Sequence, residues 1–356
     1  MSDKKLDRPN LYAVWHPNND IRLSSSSGGA FTILAEAVIK RGGVVFGAAW
    51  NQDCDVVMTA VETVKQLSLL RESKYVAALA DNVYEKVRLL LESGREVLFS
   101  GTPCQVAGLY SFLRGKNYNN LITVDFICHG TPDRRVWRKY LSYLEAKYQD
   151  KVCDINFRDK RWGVECNLLL KINLKQRKLE KIISQKENSY YCGFNRRITL
   201  RKCCLSCTFN GLPRQADFSL ADFRGLGDRV AFSYERDKIK GFTAVMVNTS
   251  HALRLMKEID MSTWIERPFE ELYNNQSVLQ GVKEEISDDY ERFWQDFQTS
   301  SWEELAKKYC TPSFRYCLQI LARRILRPSL FMRLGLIYKF IRGKRTTSLF
   351  PGGGAA

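Results

Sequence analysis

Five cysteines of this 356-residue chain have types and spacings that could bind a metal. Cys204 and Cys207 form a Cys-x-x-Cys pair directly after a third thiol, Cys203, whereas Cys104 and Cys128 stand singly earlier in the chain. A spacer of two residues lets two thiolates reach one metal ion or one iron–sulfur cluster. We favour ligation over a pair of free thiols in a loop. Zinc stays open on spacing alone, although a four-thiolate zinc site usually has two close Cys-x-x-Cys pairs.

The two single cysteines lie in a sequence unit that occurs twice between residues 97 and 132. Each copy begins with a short apolar run, at 97–100 and at 121–127, that predicts a buried strand, and continues with Gly-Thr-Pro, which predicts a helix start. A strand, a helix and a second strand predict two parallel strands joined by a right-handed crossover. Both helix starts then lie at the carboxyl edge of the sheet, where open α/β folds bind ligands.

Each Gly-Thr-Pro turn is expected to place a thiol near the N-terminus of a helix. Thr102 and Thr131 are suited to cap these helices, because a threonine hydroxyl accepts a hydrogen bond from a backbone N–H of the first turn. Cys104 falls just inside the first helix, which we expect to end at Gly115, and Cys128 ends the second strand. A helix N-terminus favours a thiolate over a thiol, so both cysteines are candidate ligands.

A Ser/Gly loop, residues 24–29, precedes an apolar segment at 30–40 that predicts a helix. Such a loop exposes backbone N–H groups and hydroxyls and lets a ligand approach closely, and phosphate groups bind at such places. On these residues alone, a plain helix cap with a flexible loop is the favoured interpretation.

The remaining pattern predicts an α/β fold with a parallel-sheet core built from strand–Gly-Thr-Pro–helix units, an antiparallel β insertion, a cysteine loop that binds a metal or a cluster (an iron–sulfur loop by the family resemblance given below) and a helical C-terminal part. Alternating apolar residues at 166–174 predict a half-exposed strand that pairs with 179–184, whereas 264–309 is predicted to be mainly helical. The predicted division is a flexible lead (1–10), an α/β core domain (11–150), a β insertion with the cluster-binding loop (151–235), a further α/β and helical part (236–310) and a basic amphipathic tail (311–356).

The positive charge of the chain is concentrated near its end. The chain has 55 Lys and Arg against 39 Asp and Glu, a net charge of +16, and after Glu304 it has 11 basic and no acidic residues. A basic amphipathic segment at 313–345 suits an anionic membrane surface or an acidic partner, although a helix docked on the body with solvated charges is the favoured alternative. A nucleic-acid-binding face has aromatic residues interleaved with its basic ones, and the charge of this tail does not follow that pattern. We therefore expect no nucleic-acid binding.

The N-terminal sequence MSDKKLDRPN lacks the apolar core of a signal peptide, and no run of about 18 apolar residues predicts a membrane span. We therefore expect a cytoplasmic protein, with peripheral contact to the inner face of a membrane as an option for the tail. In a reducing compartment, 11 cysteines indicate metal, cluster or redox chemistry and not a disulfide framework.

At these motifs the chain resembles the coenzyme F420 hydrogenase/dehydrogenase beta-subunit family. The matching motifs follow one another in the family's order and span residues 24–225: Ser26-Ser27-Gly28-Gly29, Gly101-Thr102-Pro103-Cys104-Gln105, Cys128-His129-Gly130, Phe157-Arg158-Asp159-Lys160, and Cys204-x-x-Cys207 with Arg214, Asp217 and Ala221-Asp222-Phe223. Five motifs in the right order are far more specific than any one of them.

The resemblance implies an FAD-binding α/β protein that carries a 4Fe-4S cluster and passes electrons between the cluster, the flavin and a soluble substrate. It assigns the cluster ligands as Cys104, Cys128, Cys204 and Cys207. It places the Ser/Gly loop, with Ser26, Ser27, Gly28 and Gly29, and the Arg158 and Lys160 region along the flavin or substrate cleft. Arg158 and Lys160 are the candidate catalytic groups that would offset negative charge on reduced flavin or on an anionic substrate. His129, one of three histidines, is the candidate proton donor, with a helix-entry residue bonded to backbone as an equal alternative. Thr102, Thr131 and Asp222 are further candidate cofactor-binding residues.

Two departures from the family pattern concern the substrate. Many members also carry an N-terminal ferredoxin-like segment that we do not find in this sequence, but the two that concern the substrate are lost aromatic residues. The family often has Gly-Asp-Phe/Tyr-Trp-Gly where this chain has Ala221-Asp222-Phe223-Arg224-Gly225, and it often has Gly-Trp after its Phe-Arg motif, where this chain has Gly163-Val164. Both coenzyme F420 and another soluble electron carrier therefore remain candidate substrates. Family members in bacteria without that coenzyme occur beside polysaccharide-biosynthesis genes, which makes surface-polysaccharide biosynthesis an expected setting.

Two functional hypotheses follow. The first is an iron–sulfur flavoprotein oxidoreductase with a small-molecule substrate and a redox partner such as a ferredoxin-like protein. The alternative is a non-catalytic electron-relay or assembly subunit that holds a cluster, and flavin content separates the two, since a relay could hold the cluster without flavin.

Overall fold

The computed structural model describes residues 5–164, 169–184, 187–282 and 286–310, with only the backbone of Asp7. It contains two β-sheets, and residues up to Cys310 form one compact unit. The strands are Lys5–Val14 (β1), Val44–Trp50 (β2), Val56–Val61 (β3), Val97–Ser100 (β4), Leu121–Phe126 (β5), Val152–Asp159 (β6), Leu169–Leu174 (β7), Leu179–Ile183 (β8), Phe218–Asp222 (β9), Thr243–Thr249 (β10) and Trp264–Arg267 (β11).

The helices lie on both faces of the larger sheet and around the smaller sheet. They are Asn19–Leu23 (α1), Ala30–Lys40 (α2), Val83–Glu92 (α3), Pro103–Phe112 (α4), Arg134–Tyr148 (α5), Ser189–Asn195 (α6), Lys202–Leu205 (α7), Ser250–Met256 (α8), Phe269–Tyr273 (α9), Asp289–Asp296 (α10) and Trp302–Tyr309 (α11), with 3₁₀ turns at Val64–Leu69 and Glu235–Lys240.

The larger sheet has eight strands in the order β11-β1-β10-β9-β5-β4-β2-β3. Its four central strands, β9, β5, β4 and β2, run parallel, and the outer strands pair antiparallel. The central strands are short apolar runs because helices cover both faces: α2 and α8 pack on one side, α3 and α4 on the other. The predicted α/β class with a parallel core is confirmed.

The smaller sheet is antiparallel, in the order β6-β7-β8, which confirms the predicted β insertion. It packs against α5, α6, α10 and α11 through a cluster of buried aromatic rings. Tyr140 stacks on Tyr190 at 5.3 Å between ring centroids and contacts Trp302 at 5.2 Å. Trp137 Nε1 donates to the carbonyl oxygen of Cys54 at 2.7 Å, so this aromatic core is tied to the end of the larger sheet.

The carboxyl ends of β1, β9, β5 and β4 lie at one edge of the larger sheet. Val14 of β1 pairs with Thr243 of β10, which pairs with Asp222 of β9. Phe126 of β5 pairs with Leu220 of β9, so the residues that follow each strand emerge side by side. This edge, which we call the carboxyl edge, carries the Ser/Gly loop, the two Gly-Thr-Pro turns and Asp222.

Local details differ from the sequence predictions. Thr102 caps α4 as predicted, but Asp133 and not Thr131 caps α5. Helix α4 ends at Phe112, ahead of the predicted Gly115. The segment 264–309, predicted to be mainly helical, begins with β11, which pairs with β1, and β1 itself starts at Lys5, inside the predicted lead.

Several predicted features lie outside the described residues. They are Cys166, the beginning of the strand predicted at 166–174, and the whole tail from Thr311, which includes 313–345. Among the helices that are described, none is both long enough and apolar enough to cross a membrane.

Candidate functional site

One cavity at the carboxyl edge brings together the four cysteines that the family resemblance assigned as cluster ligands. Cys104, Cys128, Cys204 and Cys207 line it, whereas the neighbouring Cys203 is exposed and does not. The cavity walls are Pro103, Cys104, Cys128, His129, Gly130, Thr131, Arg197, Arg201, Cys204, Cys207, Phe209, Asn210, Val278 and Val282. Residues more than 100 positions apart in the chain therefore meet in one place.

Cys104 is held by the start of α4. Thr102 and Gln105 form a reciprocal cap, in which Gln105 N–H donates to Thr102 Oγ1 at 3.4 Å and Thr102 N–H donates to Gln105 Oε1 at 2.9 Å. Pro103 occupies the first helical position, where its missing N–H costs nothing. Thr102 Oγ1 lies 3.1 Å from Cys104 Sγ, so the cap also contacts the thiol.

Cys128 is positioned by the turn after β5, and this turn requires a glycine. Gly130 has φ +100°, and a Cβ built there would lie 2.7 Å from Leu200 Cδ1 and 3.5 Å from Cys204 Cβ. The missing side chain lets the two cysteine-bearing segments approach each other. Burial raises the pKa of the Cys128 thiol to about 12; the Gly130 N–H opposes this shift, and the thiols of Cys204, Cys104 and Cys207 add to it.

The Cys204–Cys207 loop is joined to the second Gly-Thr-Pro turn by backbone hydrogen bonds. Arg201 N–H donates to Thr131 O at 3.1 Å, and Cys204 N–H donates to Arg201 O at 2.8 Å. On the other side of the pair, Phe209 N–H donates to Cys207 Sγ at 3.4 Å. Both thiols of the loop are thus fixed through main-chain contacts on either side.

Arg214, a residue of the family motif to which the sequence assigned no role, anchors the end of this loop. Its guanidinium donates to the carbonyl oxygens of Phe209 at 3.4 Å and Phe126 at 3.1 Å, and to Asp125 Oδ1 at 3.1 Å. Both partners of this ion pair are buried, at 1% and 0% side-chain exposure. Arg214 therefore ties the Cys207 segment to β5 from inside the fold.

The cavity also contains positive charge that the sequence analysis did not identify. Arg197 and Arg201 line the cavity. Burial lowers the pKa of Arg201, but the neighbouring thiols of Cys204, Cys203 and Cys104 outweigh this and raise it overall. Arg201 Nε is buried and has no hydrogen-bond partner among the described residues. A guanidinium so placed would stabilise anionic thiolates, or a negatively charged group bound by them.

The donor chemistry of the cavity is four thiols beside an arginine. Thiolates bind zinc as well as iron–sulfur clusters, and a 4Fe-4S cluster takes four cysteines, one for each iron. Within the described residues, no three His, Cys, Asp or Glu side chains form a group that could hold a metal ion as they stand. The cavity therefore supplies the number and type of side chains that such a cluster needs.

The Ser/Gly loop, Arg158, Lys160 and Asp222 form a second group on the same edge. Arg158 Nη2 donates to Ser26 O at 3.1 Å and to Asp222 Oδ2 at 2.9 Å, and its Nη1 donates to the hydroxyl of Tyr75 at 3.4 Å. Lys160 Nζ donates to the carbonyl oxygens of Arg22, Ser27 and Lys240. Both cations are therefore engaged with the loop itself.

The polar groups of the loop are also engaged. The hydroxyl of Ser26 accepts from Ser73 N–H at 2.7 Å, and that of Ser27 donates to Phe242 O at 2.7 Å. Gly28 N–H donates to Thr243 Oγ1 at 2.9 Å, and Gly29 caps α2 through its backbone at φ +96°. The loop packs closely against the start of β10 and the end of β1. It is therefore an ordered part of the edge and not a flexible linker.

The two groups are neighbours on one edge and separate sites within it. Cys104, Cys128, Cys204, Cys207, His129 and Thr131 line the cavity, and Thr102 contacts Cys104. The Ser/Gly loop follows β1, three strands away from β5, a separation of about 14 Å at ordinary strand spacing. Asp222, at the end of β9, lies between them. His129 accepts through its backbone oxygen from Arg197 Nη1 at 3.5 Å.

Comparisons with known proteins agree with this architecture. Residues 94–269 match the model of a family described as the C terminus of the coenzyme F420 hydrogenase/dehydrogenase beta subunit, a range that includes all four cavity cysteines. Among solved structures, the chain is similar to one from the F420-reducing [NiFe] hydrogenase complex of Methanosarcina barkeri, studied by xenon derivatization. The identity is 14%, the match covers 82% of this chain and 92% of that chain, and the TM-score is 0.51. A comparison with curated proteins gives no match.

The resemblance to the coenzyme F420 hydrogenase/dehydrogenase beta subunits is thereby confirmed. At 14% identity, the structural likeness concerns the fold.

Proposed function

We propose that this chain is an iron–sulfur flavoprotein oxidoreductase that passes electrons between a 4Fe-4S cluster, FAD and a soluble substrate. The observation that carries this proposal is the single cavity lined by Cys104, Cys128, Cys204 and Cys207. Four cysteines at one place, in a fold similar to that of a hydrogenase subunit, are the ligands that an iron–sulfur cluster for electron transfer requires. An α/β fold without a cluster does not need such a group of thiols.

The four cysteines would hold the cluster, which supplies single-electron transfer when bound. Part of the cavity lining is apolar, from Pro103, Phe209, Val278 and Val282, and would reduce the access of water to a bound group. Arg201 would offset the negative charge of a thiolate-bound cluster, a role that needs the buried position in which it lies.

A flavin would occupy the carboxyl edge between the cavity and the Ser/Gly loop. β10 and β9 lie between β1 and β5, which are about 14 Å apart at ordinary strand spacing, and the start of β10 and the end of β9 would form the floor of this position. Asp222 lies on this path, and the cations Arg158 and Lys160 lie behind the loop, where they favour a negatively charged ligand. Bound FAD exchanges a hydride with a substrate and single electrons with a cluster. His129, beside Cys128, is the proton donor in this proposal, and the Gly-Thr-Pro turns at Thr102 and Thr131 face the same edge.

A relay subunit without flavin is the second candidate. It is favoured by the engaged hydroxyls of Ser26 and Ser27, which leave those side chains little capacity to bind phosphate. Such a protein would keep the cluster cysteines and exchange electrons only with protein partners.

The substrate, partners and location are proposed from the resemblance. Coenzyme F420 or another soluble carrier is the proposed substrate, a ferredoxin-like protein the redox partner, and surface-polysaccharide biosynthesis the setting. We propose a cytoplasmic location, with the basic segment 313–345 in contact with anionic lipid. Deletion of 313–356 should then release the protein from anionic vesicles, and unchanged binding would remove the membrane contact from the proposal.

Anaerobic purification followed by an absorption spectrum and assays of iron, sulfide and flavin tests the proposal. We expect about four irons per chain with flavin bands in the spectrum. Iron and sulfide without flavin would favour the relay. A colourless protein with about one zinc would overturn the assignment of the cavity.

A further inference from the structure

Three basic side chains are buried behind the Ser/Gly loop. Arg22, at the end of α1, has 2% exposure, Lys160 has 9%, and the Arg158 side chain has 9%. Within the described part of the chain, the single carboxylate bonded to any of them is Asp222, on Arg158. Burying this much charge is unfavourable unless each cation has hydrogen-bond acceptors, and here most of the acceptors are backbone carbonyl oxygens.

Lys160 joins three segments that lie far apart in the sequence. Its Nζ donates to Arg22 O at 2.7 Å, to Ser27 O, and to Lys240 O at 3.0 Å. An ammonium group has three N–H donors, and each is directed at one of these carbonyl oxygens. A neutral amine has two donors, so one carbonyl oxygen would lose its partner on deprotonation.

Arg22 reinforces the same junction from the opposite side. Its guanidinium donates to Gly241 O at 2.7 Å and to Asp237 O at 3.1 Å, and it lies over the ring of Phe242 at 4.5 Å. Arginine keeps its charge at all physiological pH values, whereas lysine does not. Of the two cations that hold the segment 237–241 to the Ser/Gly loop, Lys160 is therefore the one that can respond to pH.

We propose that Lys160 is a positioning residue that clamps the Ser/Gly loop through its ammonium group, and that loss of one proton from this group loosens the loop. The clamp follows from the described contacts alone. Its consequence, weaker binding of an anionic ligand at the loop above neutral pH, rests on the proposed function.

The surrounding charges set the pH range. Burial, followed by the charges of Arg158 and Arg22, lowers the pKa of Lys160 to about 7, and Asp222 opposes the shift. Lys240 contributes a carbonyl to the clamp while its own ammonium pairs with Asp237.

Other titrating groups are near the loop. Glu72 and Lys74 flank Ser73, whose N–H bonds Ser26; burial raises the pKa of Glu72 to about 7 and lowers that of Lys74 to about 8. Both groups are unchanged in a Lys160→Arg variant, which therefore separates their titration from that of Lys160.

A further group is His16. The side chain of His16 lies next to Gly29, and burial lowers its pKa below the usual histidine range. The proton of His16 is therefore gained or lost at lower pH than that of Lys160, and the two events fall in different windows.

Amide hydrogen exchange tests the clamp in the full-length protein. The reporter is Gly28 N–H, which is bonded to Thr243 Oγ1, and its protection factor is corrected for the intrinsic exchange rate at each pH. Between pH 6 and 9 we expect protection to fall about tenfold, the size expected for losing a hydrogen bond to a charged group. Lys160→Arg stays charged and should keep protection constant, whereas Lys160→Met should be weakly protected throughout.

Lys240→Met is the matched control, since it removes a nearby surface ammonium and leaves the carbonyl in the clamp; its protection should follow the wild type. Constant protection in the wild type, or the same pH dependence in Lys160→Arg, would overturn the clamp. If the arginine variant does not fold, the ¹³Cε resonance of Lys160 in the wild type decides: a midpoint near neutral pH supports the proposal, and one near the ordinary lysine value of about 10.4 overturns it.

FAD affinity measured over the same pH range separates the clamp from the proposed function. A parallel fall in affinity supports both. If Gly28 protection changes as expected but the protein binds no flavin, the clamp stands and the flavin site fails.

Discussion

The thiol cavity and the Ser/Gly loop share one sheet edge and use their polar groups in opposite ways. In the cavity, four thiols face a common space, and the contacts that hold them are made mainly by neighbouring backbone groups. In the loop, the side chains themselves are bonded to the protein: Ser26 to Ser73, Ser27 to Phe242 and Lys160 to three carbonyl oxygens. The first arrangement suits a ligand bound directly by side chains, and the second suits one bound by shape, backbone and charge.

The largest expected effect is on the cavity. Cys104→Ser or Cys204→Ser should abolish the visible chromophore and most of the bound iron, since each removes one of four thiolate ligands. Cys203→Ser is the matched control: it is adjacent to Cys204 but exposed and outside the cavity, so iron content should not change. Equal loss in all three variants would mean that the thiol assignment is wrong.

Removing the anchor of the cysteine loop should be the next largest effect. Arg214→Met leaves Asp125 buried without its partner, and breaking such a pair costs about 3–5 kcal/mol in the free energy of unfolding. Denaturant unfolding measures this loss, and iron retention should fall with it because Phe209 and Gly211 lose their anchor. Arg88→Met, which breaks exposed pairs on α3, should change neither; a similar effect of both variants would refute the anchoring role.

Two helix caps of the same type distinguish a local effect on the cavity from a general loss of stability. Thr102→Ala removes the cap of α4 and should destabilise the protein by about 1 kcal/mol. Ser301→Ala removes the equivalent cap of α11, away from the carboxyl edge. Melting temperature should fall in both, but iron should be lost faster only in Thr102→Ala, because Thr102 contacts Cys104. Equal rates of iron loss would show that the cap acts through stability alone.

The smallest effect is expected at the loop hydroxyls. Ser27→Ala removes a hydroxyl that the sequence assigned to cofactor binding but that the structure shows bonded to Phe242 O. We expect FAD affinity, measured by fluorescence titration, to change by no more than about threefold, in keeping with a net hydrogen-bond contribution below about 1 kcal/mol. A loss of a hundredfold would mean that the hydroxyl binds the ligand directly, and the contrast between the two regions would disappear.

The cavity could be predicted because its parts depend on local rules. Gly-Thr-Pro-Cys specifies a helix start by itself, and parallel strands bring the ends of neighbouring units to one edge. These rules alone predict that Cys104 and Cys128 lie at the carboxyl edge, whichever segment faces them there. The prediction that Cys204 and Cys207 lie beside them came from the order of the family motifs.

The rest depended on contacts between distant segments. β9 is a central strand between β5 and β10, but it is only five residues long. The sequence pattern did not predict it, because it lies within the cysteine-rich stretch 201–225. β11 likewise forms by pairing with β1, and Pro268 directly after it was a local sign against a helix at this place. Asp133 took the cap of α5 because Pro132 pairs with Leu200 instead of starting the helix.

The buried cations show the same limit of local pattern. Arg22 had no sequence signal, because the carbonyl oxygens that it binds, Asp237 and Gly241, lie more than 200 residues away. Lys160 was predicted to be catalytic from the motif, and the structure places its ammonium behind the loop. Its catalytic role stays a prediction; the contacts show that it holds the loop.

The most direct test of the central claim is an iron and sulfide assay on protein purified without oxygen, combined with electron paramagnetic resonance after reduction. We expect about four irons and four sulfides per chain and a signal typical of a reduced 4Fe-4S cluster, both lost in Cys204→Ser and kept in Cys203→Ser. A protein that holds one zinc and no sulfide, with either cysteine replaceable at no cost, would contradict the claim.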